Sequence, residues 1–285
     1  MDVVKGRCTV SVLVNRINDM PRAALGQHFL INRRILSKIL TAADLSESDI
    51  VLEIGPGKGF LTKPLLTRVK KVVAIEIDEA LAGSLDHRLD YPRNLTILNE
   101  DARHIDLGAI LGMDLPYKVV ANLPYYAANP IMRRLLETPP KPDSIIIMVQ
   151  QEVADSITAQ PNDMSLLSVA TQVYGSARKI CTVPAKAFRP IPKVRSAVVR
   201  IDLHAESLLK DGEAPHFFKV VKGGFFAPRK QIRNSLSLGL RLNPILSGKL
   251  LNKVDIDPSR RPSTLNINEW LNLSKEYTDT SNVEG

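Results

Sequence analysis

The sequence predicts an α/β fold with a largely parallel sheet, followed by a smaller and mainly helical C-terminal domain. Between residues 32 and 175, short apolar segments alternate with segments whose apolar residues recur at helical spacing, as in a parallel sheet covered by helices. Two late strands, 179–188 and 196–204, have a Pro-rich link and no clear helix between them. This arrangement favours an antiparallel addition at one edge of the sheet.

The α/β region begins with a helix predicted over 32–43, where apolar residues lie three or four positions apart. The apolar runs that follow are short and rich in valine, isoleucine and leucine, which indicates buried strands. The predicted strands are 49–54, 71–78, 94–102, 117–126 and 144–150. The predicted helices between and after them are 60–69, 79–89, 129–137, 151–158 and 165–175.

Composition divides the chain into three parts. Residues 1–19 fit none of the patterns downstream and are too polar for a signal peptide, so we expect a flexible extension. Residues 20–205 form the α/β domain, and residues 206–285 form the helical domain. The tail from residue 275 is expected to be frayed. Helices of the second domain are predicted at 216–227, 230–240, 243–251 and 266–274.

Bulk composition excludes several classes of protein. A hydrophobic share of 44% is sufficient for a large core and excludes global disorder. No apolar run approaches the ~18–20 residues of a membrane span, so we expect no membrane partner. The two cysteines, Cys8 and Cys181, lack metal-ligand spacing, which predicts no metal site and favours a reduced, cytoplasmic protein.

The formal net charge of +8 is concentrated in one segment. Residues 186–241 contain twelve Lys or Arg and four acids, so this segment alone carries 12 − 4 = +8. Such asymmetry indicates a surface that binds a polyanion, although a solvated basic surface is the alternative. At helical spacing, three of these cations share one helix face. The candidate contacts are Arg229, Lys230 and Arg233, or else Arg189, Lys193 and Arg195.

A glycine loop follows the first strand. The stretch "EIGPGKG" places Gly55, Gly57 and Gly59 at a strand-to-helix turn, where glycine lets the backbone approach a ligand closely. The spacing G-x-G-x-G departs from the dinucleotide fingerprint G-x-G-x-x-G. The loop alone is weak evidence, because a tight turn has the same composition.

An acidic residue lies near the carboxyl end of each of the next two predicted strands. Glu76 lies 21 residues after Gly55, where its carboxylate is able to accept hydrogen bonds from both hydroxyls of a ribose. The alternative is that Glu76 is a solvated acid or caps the next helix. Asp78, however, is better placed as the helix cap. Asp101, followed by Ala102, is suited to accept from an adenine amino group, or else to cap a turn. Ligands at three successive strand ends together predict a nucleoside site.

The fourth strand ends in "NLPYY", residues 122–126. Ligands of an α/β sheet bind beyond the carboxyl ends of its strands, so this turn lies beside the nucleoside site. It resembles the Asn-x-Pro-Tyr motif of amino-methyltransferases that use S-adenosylmethionine. Asn122 and a carbonyl of the Leu123–Pro124 turn would accept both N–H groups of a target amine, and Tyr125 would stack on its base. Phe188 is either a second stacking wall or a core side chain.

Eight motifs in order resemble the rRNA adenine N6,N6-dimethyltransferase family, which methylates two adjacent adenosines near the 3′ end of small-subunit rRNA. They are "LGQHFL", "EIGPGKGFLT", "AIEID", "NEDA", "NLPYY", "FRPIPKVRSAVV", "FFAPRKQIRNSL" and "RRPSTLNINEW". The resemblance implies a Rossmann-like S-adenosylmethionine-dependent methyltransferase domain with a helical C-terminal domain. By this resemblance the cofactor contacts are His28, Leu30, Gly55, Glu76, Asp101 and Asn122, where His28 replaces a residue that is often Asn in relatives.

The implied partner is small-subunit rRNA within an assembling ribosomal particle, and we expect the protein to act as a monomer. Two related functions stay open: methylation of a large-subunit rRNA adenine, and a non-catalytic role as an RNA-binding or transcription-factor relative. The intact "NLPYY" argues against a purely binding role. A nicotinamide oxidoreductase is the remaining class, and the glycine spacing counts against it.

Overall fold

The computed structural model describes residues 27–113 and 115–283; the predicted extension, 1–19, lies outside them. The strands are β1 Phe29–Leu30, β2 Ile50–Ile54, β3 Lys71–Ile75, β4 Leu95–Leu98, β5 Lys118–Asn122, β6 Ser144–Gln150, β7 Gly175–Val183, β8 Phe188–Arg189 and β9 Ser196–Leu203. The helices are α1 Arg33–Ala43, α2 Thr62–Leu66, α3 Glu79–Arg88, α4 Leu107–Leu111, α5 Ala128–Glu137, α6 Gln151–Ile157, α7 Leu166–Gln172, α8 Ala214–Gly224, α9 Ile232–Leu240, α10 Pro244–Lys253 and α11 Ile267–Val283.

Within the described residues, seven strands form one sheet in the order β4-β3-β2-β5-β6-β9-β7. Strands β2 to β6 pair in parallel, as the alternating pattern predicted. Strand β9 is antiparallel to both β6 and β7, which confirms the antiparallel addition at one edge. This topology confirms the α/β prediction and puts the carboxyl ends of β2, β3, β4 and β5 along one side of the sheet.

The predicted strand 179–188 is wrong at its end, because β7 stops at Val183 and Phe188 belongs to a separate short strand. This strand, β8, was not predicted and pairs antiparallel with β1, in the register Phe29↔Arg189 and Leu30↔Phe188. Strand β7 also begins earlier than predicted, at Gly175 instead of 179. A Cβ at Gly175 would lie 2.6 Å from the Asp202 carbonyl oxygen, so only glycine fits where β7 meets β9. The preceding helix, α7, ends at Gln172, three residues before the predicted end at residue 175.

Each face of the sheet has its own core. One core packs α1 and α2 on the sheet through side chains such as Ile35, Leu65 and Val120. The other contains α5 and extends without interruption to the C-terminal helices, including Phe217 and Trp270. Burial on both faces explains why the central strands are apolar throughout rather than alternating.

The C-terminal helices differ from the sequence prediction at several ends; helix α8, for example, ends at Gly224 and not at 227. The frayed tail expected from residue 275 is wrong, because α11 continues to Val283. Tyr277 is buried in the core and Lys253 pairs with Glu276 at 2.6 Å, which ties this helix to α10. Helix α9 begins at Ile232 rather than at 230. None of the helices in the described part of the chain is long and apolar enough to span a membrane.

Candidate active site

A cavity of about 760 Å³ lies at the carboxyl ends of β2, β3, β4 and β5. This volume is in the range of sites for small molecules and cofactors. The lining brings together every catalytic and cofactor-binding candidate from the sequence: His28, Leu30, Gly55, Gly57, Gly59, Glu76, Asp101, Ala102, Asn122, Leu123, Pro124, Tyr125 and Phe188. Of the basic candidates, Arg189 belongs to this lining, whereas the others lie elsewhere.

The glycine loop approaches other backbone and side-chain atoms so closely that side chains are excluded. Gly55 has φ +72°, and a Cβ there would lie 3.3 Å from the Asn122 carbonyl oxygen. Gly57 has φ +57°, and a Cβ there would lie 3.0 Å from the Phe29 ring. Both positions need glycine, for conformation and for space. The loop therefore forms a smooth wall of backbone between β2 and the cavity.

Glu76 is held at the cavity wall by backbone donors. Its two carboxylate oxygens accept from the Gly57 and Asp78 N–H groups, each at 3.1 Å. The side chain is 4% exposed, so it is not the solvated acid of the alternative interpretation. Burial raises the pKa of Glu76, and the two backbone N–H groups oppose this rise. Asp78 caps α3 by accepting from the Ala80 and Leu81 N–H groups, as predicted.

Asp101 lines the cavity but already has a partner that the sequence did not reveal. Its carboxylate forms a bidentate ion pair with Arg103, at 2.5 Å for the shortest contact, and also accepts the Arg103 backbone N–H at 2.9 Å. Burial raises the pKa of Asp101, but the Arg103 hydrogen bonds outweigh it and the net pKa is lowered. Asp101 is thus an ionised turn residue with lone pairs left for one further donor.

The "NLPYY" turn fixes the orientation of the Asn122 amide. Its nitrogen donates to the His28 carbonyl at 3.2 Å, which leaves the side-chain oxygen as a free acceptor at the cavity. The Pro124 carbonyl accepts the Ala127 N–H at 2.9 Å and is therefore used by the turn itself. The Leu123 carbonyl is the remaining acceptor of the turn.

The two tyrosines differ in environment. Tyr125 is half-buried, and its hydroxyl bonds to the hydroxyl of buried Ser196 at 2.7 Å. The His28 ring centroid lies 5.9 Å from that of Tyr125, and His28 Nδ1 donates to the Pro190 carbonyl at 2.8 Å. Tyr126 is 47% exposed and lines the cavity on the side of Arg103 and Asp101. Sequence reasoning assigned no role to Tyr126.

Phe188 and Leu30 have mainly packing roles. Phe188 is 1% exposed and belongs to the core beneath α1, which agrees with the core alternative from the sequence. Leu30 lies opposite Phe188 in the β1–β8 pair and is also buried. Both line the cavity, and neither is more than 6% exposed.

Glu53 was missed by the sequence interpretation. It lies in β2 just before the glycine loop, is 1% exposed, and lines the cavity. Neither carboxylate oxygen has a hydrogen-bond partner of normal geometry among the described residues. Burial raises the pKa of Glu53 to about 8, while the Thr62 hydroxyl opposes the rise and Glu76 adds to it. An acid within the apolar run "IVLEI" was the available signal.

The basic candidates form two exposed groups away from the cavity lining, apart from Arg189. Lys193 and Arg195 are exposed on the loop between β8 and β9. Arg229 and Lys230 lie in the turn before α9, so the prediction that they share a helix face with Arg233 is wrong. The Lys230 N–H donates to the Ala227 carbonyl at 2.9 Å, which closes this turn. Within the residues that the structure describes, no group of three or more His, Cys, Asp or Glu is arranged to hold a metal ion.

Fold and site together define a Rossmann-like methyltransferase. The model of the family described as ribosomal RNA adenine dimethylase matches residues 18–278. The chain belongs to this family. A ribosomal RNA small subunit methyltransferase A from Dehalococcoides mccartyi (strain CBDB1) is 42% identical over 256 residues, covering 90% of this chain and 88% of the relative. Another from Alkaliphilus metalliredigens (strain QYMF) is 38% identical, covering 97% and 98%.

Solved structures share the same architecture. A dimethyladenosine transferase from Plasmodium falciparum has a TM-score of 0.76 and 26% identity, covering 89% of this chain and 98% of that one. The 23S rRNA methyltransferase ErmE has a TM-score of 0.71 and 28% identity, covering 87% and 98%. The likeness to both structures spans the sheet and the C-terminal helices.

Proposed function

We propose that the protein transfers methyl groups from S-adenosylmethionine to N6 of two adjacent adenosines near the 3′ end of small-subunit rRNA, during ribosome biogenesis. The observation that carries the proposal is the position of Asn122–Tyr125 in the same cavity as the glycine loop, Glu76 and Asp101. Relatives 38–42% identical, named small subunit methyltransferase A, support the choice of substrate.

The cavity fits S-adenosylmethionine by the chemistry of its wall. The glycine loop leaves room for a ligand against the backbone, Glu76 keeps lone pairs for ribose hydroxyls, and Asp101 and Ala102 would contact the adenine. The buried acid of Glu53 has no hydrogen-bond partner of normal geometry among the described residues, and a cationic group bound beside it would favour its ionised form. When bound, this cofactor supplies an electrophilic methyl group.

Residues of the "NLPYY" turn would orient the target amine. The free side-chain oxygen of Asn122 and the Leu123 carbonyl accept its two N–H groups, which aims the nitrogen lone pair away from the ring plane. Pro124 keeps the turn rigid, and Tyr125, fixed by Ser196, stacks on the base. Because the methylated nitrogen is acidic, positioning and electrostatics suffice without a dedicated general base.

A second candidate is methylation of a large-subunit adenine. The structural likeness to ErmE, which is named a 23S rRNA methyltransferase, supports it. Sequence identity to that protein is 28%, against 42% for the small-subunit relative, so the small-subunit substrate is favoured. The complete "NLPYY" site argues against a role limited to binding RNA.

Four further parts of the proposal concern the context of the reaction. The substrate is rRNA within an assembling particle, the protein acts as a monomer, and it works in the cytoplasm. Residues 20–205 form the catalytic domain and 206–285 the helical domain, to which we assign RNA contacts. The charge concentrated in 186–241 supports that assignment.

Mass spectrometry of rRNA tests the proposal. Small-subunit rRNA from cells with and without the gene is digested and its dimethyladenosine is measured. We expect two adjacent dimethyladenosines near the 3′ end only when the gene is present, and Asn122→Ala should not restore them. Loss of a large-subunit dimethyladenosine instead would support the second candidate. Unchanged rRNA in both subunits would contradict both.

A further inference from the structure

Phe226 is a large aromatic side chain that the fold leaves in solvent. It is 66% exposed, immediately after Phe225, whose ring stacks on the buried Trp270 at 5.3 Å between centroids. The two adjacent rings therefore have opposite environments. Phe225 packs on the core just after the end of α8, whereas Phe226 is exposed to solvent. Because most of this phenyl ring is exposed, the protein does not gain the favourable free energy that burial of its apolar surface would give.

Backbone hydrogen bonds fix the loop that carries Phe226 at two adjacent residues. The Phe226 N–H donates to the Gly223 carbonyl at 3.2 Å, and the Ala227 N–H donates to the hydroxyl of buried Ser235 at 2.9 Å. A Cβ at Gly224 would lie 2.3 Å from Trp270, so α8 packs on α11 with no space between them. The backbone around Phe226 is thus well fixed, and its ring lies in solvent.

Three cations follow this ring in the sequence, with no acid among them. Residues 225–233 contain Arg229, Lys230 and Arg233 and no Asp or Glu. All three cations are exposed, and the ion pairs described among the C-terminal helices, Lys253–Glu276 and Arg260–Glu269, do not involve them. Two residues separate Phe226 from Arg229, a span of at most ~11 Å, so the ring lies near the first of these charges.

We propose that this surface, the segment 226–233, binds single-stranded RNA by stacking a nucleobase on Phe226 while the cations contact the flanking phosphates. The inference rests on the proposed function, because it takes RNA as the substrate, and it adds a base contact outside the cavity. A flat ring beside unpaired cations matches a base joined to its phosphates. An acidic protein would match the charges alone and leave the ring without a specific partner.

Fluorescence gives a direct test, because the chain has one tryptophan, Trp270, and it is fully buried. The variant Phe226→Trp adds a second indole in solvent. Titration with a short single-stranded RNA should quench its emission as a base stacks on it, while wild-type emission changes little. Polyphosphate of equal charge should compete for the cations without quenching. Equal quenching by both polyanions, or none by RNA, would overturn the proposal.

Measurements of RNA-binding affinity provide a second test. Phe226→Leu keeps an apolar side chain but removes the flat face, so its affinity for small-subunit rRNA should fall roughly 5- to 100-fold. Phe226→Tyr should bind like wild type. Ile245→Ala, at an exposed apolar residue of α10, is the matched control and should have no effect. Weaker binding to ribosomal particles but not to deproteinised rRNA would identify a protein partner instead and contradict the proposal.

The results of these experiments distinguish a failure of this inference from a failure of the proposed function. If wild type methylates rRNA but Phe226→Trp is not quenched, the base contact is wrong and the methyltransferase proposal stands. If quenching and weakened binding occur while wild type transfers no methyl group to rRNA, the protein binds RNA through Phe226 and the proposed reaction is wrong.

Discussion

Glu53 is a buried acid whose protonation should be coupled to the stability of the fold. Its pKa is raised by burial to about 8, from an ordinary value of 4.5. A folded-state pKa above the unfolded value means that the folded protein holds the proton more tightly. The corresponding stability is complete below pH 4.5 and is lost as pH rises through 8.

We therefore expect Glu53→Gln to gain stability relative to wild type as pH rises from 5 to 8. The gain should be on the order of a few kcal/mol, since each pKa unit corresponds to ~1.4 kcal/mol. Urea unfolding at three pH values measures it. Glu47→Gln, at an exposed position, is the control. A difference between Glu53→Gln and wild type that does not vary with pH would show that Glu53 is ionised in the folded protein.

Glu76 should contribute to cofactor affinity. Removing the carboxylate in Glu76→Ala deletes a charged acceptor for hydroxyl groups, which should cost about 1–3 kcal/mol of binding free energy. Calorimetry with S-adenosylmethionine measures this loss, and Asp86→Ala, on the exposed side of α3, should bind normally. Tight binding of NAD by wild type, with no binding of S-adenosylmethionine, would instead favour a nicotinamide enzyme.

Asn122 should affect the rate of transfer more than cofactor binding. Asn122→Ala removes a preorganised acceptor for the target amine, so we expect the rate of methyl transfer to fall roughly 10²- to 10³-fold. Single-turnover transfer from labelled cofactor measures the rate, and calorimetry measures cofactor affinity. Asn129→Ala, at an exposed amide on α5, is the control. Normal transfer by Asn122→Ala would exclude this residue from the mechanism.

At the scale of elements, the basic turn before α9 should carry part of the RNA affinity without reading sequence. Replacing Arg229, Lys230 and Arg233 with Glu removes phosphate contacts, so the dependence of binding on salt should flatten. Filter binding to small ribosomal particles from low to moderate salt measures this slope. Cofactor binding should be unchanged, because the cavity lining contains none of the three.

The control for that experiment makes the same change in charge elsewhere. Lys70, Lys249 and Lys275 are exposed on three other parts of the surface, and replacing them with Glu should leave the salt slope near that of wild type. If both triple variants flatten the slope equally, net charge alone is responsible. If neither does, RNA binds elsewhere, and Arg189, Lys193 and Arg195 are next to be tested.

The strands of the sheet were largely predictable, because strands buried on both faces are continuous apolar runs in the sequence. Element ends were less predictable, since they depend on tertiary contacts: β7 starts where Gly175 meets Asp202, and α9 starts after the turn at Ala227–Lys230. The β1–β8 pair has two residues in each strand, too few for any periodicity. It was therefore invisible in the sequence.

In the candidate site, sequence reasoning found residues that lie at strand ends and line the cavity, such as Glu76 and Asn122. It could not find contacts that depend on turn geometry. The Arg103 side chain folds back on Asp101, and Tyr126 joins the cavity from the exposed side of its turn. Glu53 was visible as an acid in an apolar strand, but its lack of partners is a property of the fold.

At the scale of the whole molecule, the core shared by the sheet and the C-terminal helices should make unfolding cooperative. Gly224→Ala would force a Cβ to 2.3 Å from Trp270, which is fully buried and cannot retreat. We expect a loss of about 1–3 kcal/mol in the free energy of unfolding. Trp270 fluorescence and far-ultraviolet circular dichroism should report the same urea midpoint.

Gly83→Ala is the matched control, because a Cβ there meets no atom within 4 Å on exposed α3. This substitution in a helix should raise stability by roughly 0.5–1 kcal/mol. If Gly224→Ala shifts only the fluorescence midpoint, the C-terminal helices unfold separately and the core does not act as one unit.

The position of β9 between β6 and β7 constrains how the protein matures during its synthesis. When β7 has left the ribosome, its partner does not yet exist, because β7 pairs with β9 and not with β6. The nascent chain therefore exposes the edge of β6 until residue 203 emerges. The pairing of β1 with β8 likewise needs residue 189, so a growing chain completes the lining of the cavity late. About two-thirds of the chain must therefore be synthesised before the lining of the cavity is complete.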